Sequence, residues 1–478
     1  MTSTLNAARR ALDLAALESR DTVDVLVVGL GVTGAGVALD AASRGLSVIA
    51  VDAHDLAFGT SRWSSKLVHG GLRYLAKGQV GVAHESAVER GILMTRTAPH
   101  LVHTITTYVP LTPDLSAGQA ALTAAGFWAG DALRAGARTP RRFLPRPRRL
   151  SAARAQQLCP AVRTDGLRGA LLGFDGQLED DARLVTALAR TAAAEGATIL
   201  THTRALEVTG TGATLRDELT GTTYDVRARV VVNAAGVWAG QVVPGLRLKP
   251  SRGTHLVVRS EAIPGLTVAL TAPVPGSLNR FVFALPQPDG RIYVGLTDEE
   301  VEGEIPDVPQ GSEQEIDFLL DVINRVLARP LTRDDVIGTY AGLRPLLDAG
   351  GTTADLSRKH AVLTSETGVI TIVGGKLTTY RRMAEDAVDA AVAHAGLGAG
   401  ACRTRDLPLV GAGVSTGSTK GDPRLVRRYG TEAAAVVANA LAVTGLTRDE
   451  VLAPIAETVP VTLAEAAALR ALAAAGEA

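Results

Sequence analysis

The pattern of hydrophobic positions changes at Asp24, where a leader of mixed character gives way to the spacing of a buried strand. An apolar run at Val25–Val28 is followed by a glycine-rich turn, a helical pattern over 34–43 and a second apolar run over 47–51. A buried strand, a helix and a second buried strand in this order are typical of a βαβ unit with parallel strands.

Two more strand patterns end in glycine turns, near residues 234 and 374, far along the chain from the first turn near 29. This spacing predicts one nucleotide-binding domain assembled from separated segments, with a mostly β domain inserted between them. Other helical patterns lie over 80–98, 113–138, 182–195, 313–328 and most of 401–478, and β-like runs lie within 250–345.

Composition narrows the class of protein. The 478 residues suffice for two or three domains, and 49 Lys and Arg balance 49 Asp and Glu, so a global attraction to nucleic acid has no support. Cys159 and Cys402 fit neither a zinc spacing nor a disulfide framework, which favours a reducing cytoplasmic setting and predicts no metal site. The first twenty residues lack the apolar core of a secretion signal, and no run of residues is a clean membrane span.

The first glycine turn has the spacing of a dinucleotide fingerprint, GLGVTG, between a strand and a helix. The first glycine permits the tight turn, the second lets a pyrophosphate approach the backbone, and the third lets helix and strand pack closely. An acid ends the second strand and is placed to accept hydrogen bonds from a ribose. The alternative is a glycine-rich turn in an ordinary βαβ unit. The predicted nucleotide contacts are Gly29, Gly31, Val32, Thr33, Gly34 and Asp52.

The segment over 59–74, GTSRWSSKLVHGGLRY, is rich in hydroxyls and glycines but contains large apolar side chains that a flexible linker would lack. It resembles the signature of the FAD-dependent glycerol-3-phosphate dehydrogenases. The resemblance continues through APHLV, DDARLV, VVNAAGVWA, RGTHLVV, GLTDEE, YAGLRPL and GGKLTTYRRMAEDAVD, and it covers about residues 22–410.

The resemblance implies an α/β fold with a glutathione-reductase-like Rossmann domain for FAD, an inserted antiparallel-sheet substrate domain and a C-terminal helical domain. The expected division is a leader over 1–20, an FAD-binding domain over 21–100, 180–245 and 365–395, a cap over 101–179 and 246–364, and a helical domain over 401–478.

The resemblance also implies which residues contact FAD. Beyond the fingerprint, the expected contacts are Thr60, Ser61, Ser65, Leu67, Ala205, Ala234, Gly236, Gly374, Gly375, Lys376, Leu377 and Thr378. The last five lie where a strand ends and a helix begins. A helix N-terminus at this point can stabilise negative charge on a reduced flavin, whereas the bland alternative is a simple turn.

A phosphorylated substrate requires cations, and arginine is the residue best suited to bind a phosphate dianion. The substrate contacts implied by the resemblance are Arg73, Tyr74, His255, Arg344, Arg358 and Lys376. Of these, His255, Arg344, Lys376 and Arg73 are the expected catalytic residues. We expect His255 to act as the base because an imidazole ordinarily titrates near neutral pH, with a neighbouring Arg or Lys as the alternative.

The expected reaction is oxidation of sn-glycerol 3-phosphate to dihydroxyacetone phosphate, with electrons passed through FAD to a quinone. The alternatives are an oxidase that uses O2, a related flavin oxidase of amines or amino acids, and a redox-silent FAD-binding scaffold. The intact cations at 73, 344 and 376 argue against the scaffold.

A basic stretch over 138–154 contains seven arginines and follows an apolar segment with Phe127 and Trp128. It is either a solvated loop or a patch for anionic lipid. Contact with a membrane through 127–154 would place the protein peripherally on the inner face of the cell membrane. A homodimer is a further expectation.

Overall fold

The computed structural model describes residues 2–19, 22–75, 78–277, 280–348, 359–413, 422–456 and 459–466. The helices are α1 (Ala7–Ser19), α2 (Val32–Ser43), α3 (Leu72–Leu75), α4 (Val80–Ile92), α5 (Ala117–Gly136), α6 (Ala152–Leu158), α7 (Asp181–Ala194), α8 (Ala239–Val242), α9 (Glu313–Asn324), α10 (Tyr380–Ala395), α11 (Pro423–Tyr429), α12 (Ala433–Thr444) and α13 (Arg448–Leu452). The strands are β1 (Val23–Val28), β2 (Val48–Val51), β3 (Leu67–Val68), β4 (Val102–Pro110), β5 (Arg148–Leu150), β6 (Ala170–Leu178), β7 (Thr198–Leu200), β8 (Thr203–Thr209), β9 (Gly212–Asp217), β10 (Thr223–Asn233), β11 (Leu248–Arg259), β12 (Ala269–Pro273), β13 (Phe281–Pro286), β14 (Arg291–Gly295), β15 (Glu299–Glu300), β16 (Val336–Leu347), β17 (Ala361–Thr364), β18 (Ile370–Val373), β19 (Pro454–Ala456) and β20 (Val459–Thr462).

A mostly parallel sheet runs in the order β17-β18-β10-β1-β2-β7, with β8 and β9 attached through β10. β1 lies parallel to both β10 and β2, so the segments near 25, 48 and 230 meet in one sheet. Helices α2, α7 and α10 pack together against one face and enclose the largest apolar core. Strands buried on both faces explain the near-continuous apolar runs in the sequence.

Helix α2 begins at Val32, two residues before its predicted start, because the preceding Gly31 is already its N-cap. Eleven of its twelve residues are buried. The helix lies between α7 and α10 on the sheet, which explains why its sequence is apolar on every side.

A second sheet runs in the order β15-β11-β14-β13-β12-β4-β6-β3, with β16 paired to β11 and β5 to β6. Its pairs are antiparallel except for β12 with β4. Helix α9 covers one face and forms a separate core with it. The edge strand β3 belongs to the segment that follows the first βαβ unit, so this segment joins the two sheets. The α/β fold class expected from the sequence is confirmed.

Several boundaries differ from the predictions. The helix expected over 80–98 ends as α4 at Ile92, and a π-helical turn follows at Leu93–Thr97. α9 ends at Asn324, since Leu327 pairs with Val162 instead of continuing the helix. The tail expected to be helical contains the hairpin β19–β20, where Pro454 has no N–H to continue α13. The leader forms α1, whose Leu14 and Leu17 are buried against the parallel sheet.

Candidate functional site

A cavity of about 1180 Å³ lies where the carboxyl ends of the parallel strands face the second sheet. Ligands of open α/β sheets bind at such strand ends. Of the expected FAD contacts, all but Gly34 line this cavity: Gly29, Gly31, Val32, Thr33, Asp52, Thr60, Ser61, Ser65, Leu67, Ala205, Ala234, Gly236, Gly374, Gly375, Lys376, Leu377 and Thr378. Four expected substrate residues line it as well: Tyr74, His255, Arg344 and Lys376.

The fingerprint turn requires glycine at two positions. Gly29 has a φ of +103°, and a Cβ on Gly34 would lie 1.8 Å from the Gly29 carbonyl oxygen. Gly34 therefore serves the close packing of helix and strand rather than contacting the ligand. The N-cap residue of α2, Gly31, has no side chain that could cap the helix. Instead, the Val32 N–H donates to Ser61 Oγ at 2.9 Å. Gly31, Val32 and Thr33 at this helix end line the cavity, and a helix N-terminus is a site that can bind a pyrophosphate.

Asp52 directly follows β2 and lines the cavity. Its carboxylate accepts the N–H groups of Leu30 and His54, at 2.7 and 2.9 Å, and burial raises its pKa above the usual range. The ring of His54 stacks on Phe58 with centroids 3.8 Å apart. Both rings line the cavity beside Asp52 and offer a flat surface that suits a base. This pair was not predicted, because neither residue stands in a recognised motif.

A second glycine turn follows β18. Gly374 and Gly375 have φ values of +77° and +70°, and a Cβ on Gly375 would lie 2.4 Å from the sulfur of Met383. Lys376 caps the short 3-10 helix that leads into α10. Its Nζ donates to Ser86 Oγ at 2.9 Å and lies 4.5 Å from the centroid of the Tyr74 ring. This turn thus brings a cation and a helix N-terminus to the same wall of the cavity.

His255 lies on β11 at the opposite wall and is 2% exposed. Its Nε2 is 2.8 Å from Ser65 Oγ, and its ring stacks on Tyr340 with centroids 4.6 Å apart. Burial, with the positive charges of Arg344 and Lys66, lowers the pKa of His255 to about 3. The premise that this imidazole titrates near neutral pH is therefore wrong for the free site. The ring is neutral there, and its role as base stays a prediction.

Arg344 lies on β16 beside His255 and is held by groups of the second sheet. Its two terminal nitrogens donate to Ser251 Oγ at 2.9 Å and to the Thr297 carbonyl oxygen at 3.1 Å, and Asp298 lies 3.2 Å away. The side chain is 19% exposed. These contacts orient a guanidinium at the cavity wall, where it can meet an anion.

A second histidine of the cavity, His69, stands in the motif over 59–74, but the resemblance predicts no role for it. His69 is 45% exposed, and its Nδ1 lies 3.6 Å from a carboxylate oxygen of Asp175. Burial alone would raise the pKa of Asp175, but Arg90 at 2.6 Å and His69 lower it to about 2. A carboxylate that orients an imidazole is a common arrangement in acid–base catalysis. Asp175 carried no signal in the sequence, since it stands in no recognised motif.

Two expected substrate residues cannot be placed. Arg358 lies outside the described residues, and so does the side chain of Arg73, whose backbone belongs to α3.

Comparisons with known proteins agree with this geometry. A family model for FAD-dependent oxidoreductases matches residues 24–381. Glycerol-3-phosphate dehydrogenase 1 of Mycobacterium tuberculosis is 58% identical over 471 residues, which cover 96% of this chain and 90% of that protein. The chain belongs to the FAD-dependent glycerol-3-phosphate dehydrogenase family. The expected family, enzyme class and cofactor, FAD, are thereby confirmed.

Solved structures support the same family. The glycerol-3-phosphate dehydrogenase from Bacillus halodurans, complexed with FAD, matches with a TM-score of 0.71 and 28% identity, covering 92% of this chain and 82% of that one. The L-alpha-glycerophosphate oxidase from Mycoplasma pneumoniae with FAD bound matches with a TM-score of 0.59 and 17% identity, covering 80% of this chain and 97% of that one. At that identity the second match shows the fold alone.

Proposed function

We propose that this chain oxidises sn-glycerol 3-phosphate to dihydroxyacetone phosphate and passes the electrons to a quinone. The observation that carries the proposal is one cavity that is lined both by a dinucleotide-binding turn and by two cationic side chains, Arg344 and Lys376. Bound FAD supplies the acceptor for the hydride that leaves C2 of the substrate. The family relationship supports the same reaction, since the Mycobacterium tuberculosis relative is named a glycerol-3-phosphate dehydrogenase.

The residues that would hold FAD fit such a group. At Gly29 and Gly34 a side chain would collide with backbone atoms, and at Gly375 it would collide with Met383, so these turns keep their shape beside the cavity only with glycine. The cavity volume, about 1180 Å³, is slightly above the usual range for small-molecule sites, as expected for a dinucleotide and a substrate together.

The phosphate is best assigned to Arg344 and Lys376. Both side chains line the cavity, Arg344 from β16 and Lys376 from the turn after β18, and both are cations of the kind that binds phosphate. Arg344 is already oriented by Ser251 and Thr297, so it loses little freedom when an anion binds.

The hydroxyl proton has two candidate acceptors. His255 is neutral and buried, with its Nε2 beside Ser65 Oγ. His69 is half-exposed in the cavity and lies near the Asp175 carboxylate. We propose His255 as the base, and a His255→Asn enzyme that kept nearly full turnover across the pH range would exclude it. A matching loss in His69→Asn would then assign the role to His69.

The deciding experiment is anaerobic titration of the flavin-loaded protein with glycerol 3-phosphate. We expect the flavin absorbance to be bleached fully by one glycerol 3-phosphate per chain. Faster bleaching by glycine or sarcosine would identify an amine or amino-acid oxidase. Bleaching by none of these substrates would leave a redox-silent FAD-binding scaffold.

Helix α5 supports two further parts of the proposal, a quinone as the electron acceptor and a membrane surface as the binding partner. One face of α5 lines the cavity with Phe127, together with Phe281 and Phe283 of the second sheet. Leu122 lines the cavity as well and is 50% exposed, and Trp128, which does not line it, is 54% exposed. Apolar side chains of α5 thus lie both in the cavity and on the surface, which suits an acceptor dissolved in lipid.

The basic stretch lies next to this helix in sequence. All seven arginines over 138–154 are exposed, and among the described residues only Arg141 lies within 4 Å of a carboxylate, at 3.9 Å from Asp131. Cations beside an apolar helix are typical of surfaces that bind anionic lipid. Within the described part of the chain, no helix is long and apolar enough to cross a bilayer. We therefore propose peripheral binding to the inner face of the cell membrane.

Vesicle sedimentation and quinone reduction test this part of the proposal. The double change Arg148→Glu and Arg149→Glu should weaken binding to anionic vesicles, whereas Arg405→Glu, an exposed arginine outside the stretch, should not. Rapid peroxide formation without reduction of a ubiquinone or menaquinone analogue would favour the oxidase. Light scattering tests the expected homodimer.

A further inference from the structure

The carboxylate of Asp181 is buried behind the cavity and receives hydrogen bonds from the segment over 60–68. It belongs to the motif DDARLV, is 1% exposed and opens α7. The Ser64 N–H and Oγ donate to one of its oxygens at 3.0 and 2.7 Å. Lys66 Nζ donates to the other oxygen at 2.7 Å, and so does the N–H of Ala182 at 2.9 Å. One carboxylate therefore organises both residues that flank Ser65.

These contacts set a backbone shape that the segment would not adopt readily by itself. Lys66 has a φ of +56°, a region that side chains other than glycine seldom occupy. Its ammonium also donates to the Arg62 carbonyl oxygen at 2.8 Å, and its N–H donates to Ser64 Oγ at 3.0 Å. The ion pair with Asp181 thus closes a loop of hydrogen bonds around Ser65.

The residue at the centre of this loop reaches the reaction site. Ser65 Oγ lies 2.8 Å from His255 Nε2, and Tyr340, which stacks on His255, donates its hydroxyl to the Ser64 carbonyl oxygen at 3.2 Å. A shift of Ser65 would therefore remove the hydrogen bond that fixes the tautomer and tilt of this imidazole.

We propose that Asp181 is a positioning residue for the oxidation: it holds Ser64 and Lys66 so that Ser65 stays hydrogen-bonded to His255. The inference rests on the proposed function, because it gives the Ser65–His255 pair a part in substrate oxidation. Asp180 provides a matched contrast. Its carboxylate caps α7 through the Arg183 N–H and pairs with Arg428 of α11 at 2.9 Å.

Hydrogen exchange of the flavin-loaded full chain tests the anchoring without any turnover. In Asp181→Asn, the Ser64 amide should exchange at least about tenfold faster than in the unchanged chain, because its acceptor is weakened. Asp180→Asn should leave this amide unchanged. Equal protection of Ser64 in all three proteins would overturn the anchoring. This comparison stands even if glycerol 3-phosphate proves not to be the substrate.

A double-mutant cycle tests the connection to chemistry. When Ser65 is present, Asp181→Asn should lower kcat for glycerol 3-phosphate about tenfold. In a Ser65→Ala background the same change should lower kcat less than about twofold, because residues of one network do not act independently. Additive losses would mean a merely structural role and overturn the proposal. If Asp181→Asn fails to fold because Lys66 loses its counter-charge, Ser64→Ala is the second variant. It should show a smaller loss with the same dependence on Ser65, and an independent loss would refute the proposal.

Discussion

Replacing His255 by glutamine should make the folded chain more resistant to acid. In the unfolded chain an imidazole titrates at its ordinary value of 6.5, whereas burial and the charges of Arg344 and Lys66 lower the pKa of His255 to about 3 in the folded chain. At pH values between 6.5 and about 3, the imidazole binds a proton in the unfolded chain but not in the folded chain. The free energy of unfolding therefore falls as the pH falls through this window.

The size of the effect follows from the difference between the two pKa values. The interval from 6.5 to about 3 corresponds to roughly 5 kcal/mol when the full window has been crossed, at about 1.4 kcal/mol per pH unit. Between pH 6.5 and pH 4.5 the loss attributable to His255 is about 3 kcal/mol. Glutamine keeps a polar group near Ser65 and does not titrate, so His255→Gln lacks this loss.

Urea unfolding at pH 7 and pH 4.5, followed by tryptophan fluorescence, measures the difference. Any loss of packing in the variant is independent of pH and cancels when the two conditions are subtracted. His394→Gln, at an exposed histidine on α10, is the matched control and should follow the unchanged chain. If His255→Gln lost as much stability in acid as the unchanged chain, the folded imidazole would not be held neutral, and the reasoning would be refuted.

Three further predictions follow from the site. Arg344→Lys should raise KM for glycerol 3-phosphate about 30-fold, which corresponds to about 2 kcal/mol, because an ammonium cannot replace the forked guanidinium. An unchanged KM in steady-state kinetics would show that Arg344 does not bind the phosphate. Asp175→Asn should lower the free energy of unfolding by about 2 kcal/mol at pH 7, since the carboxylate pKa falls from 3.8 to about 2 on folding. That stability is present above pH 3.8 and lost as the pH falls through about 2, so the difference should shrink by pH 3, and a constant difference in urea unfolding would contradict it. Gly34→Ala places a Cβ 1.8 Å from the Gly29 carbonyl oxygen and should yield colourless protein. Gly81→Ala is the control, because its Cβ meets nothing within 4 Å, and it should retain the flavin absorbance. Equal flavin content in the two variants would contradict the role of Gly34 in packing α2 against the turn.

The parts of the site that could be predicted from sequence are those built by local backbone geometry. The turn at Gly29 follows from a strand, a positive φ and a helix start, all of which leave a pattern within a few residues. The turn at Gly374 is of the same kind. The resemblance added Thr60, Ser65 and their neighbours because these residues stand in one unbroken motif.

The parts that could not be predicted arise where distant segments meet. Asp175 lies on β6, where the pairing of β3 with β6 brings His69 near it and α4 brings Arg90. The stacked rings of His54 and Phe58 are a different case, because they are close in sequence but depend on how the chain turns after β2. The low pKa of His255 likewise results from burial between two sheets, so the usual behaviour of the residue type gave the wrong expectation.

The segment over 60–68 explains why the cofactor side and the substrate side of this cavity depend on each other. It begins beside the fingerprint turn, where Ser61 Oγ accepts the Val32 N–H, and it ends as β3 at the edge of the second sheet. Between these points it carries Ser65 to His255 and Lys66 to Asp181. Because one short segment is fixed at both ends and in the middle, a displacement at either sheet must move the other side of the site. The expected FAD contacts Thr60 and Ser61 and the proposed base His255 therefore depend on the same stretch of backbone.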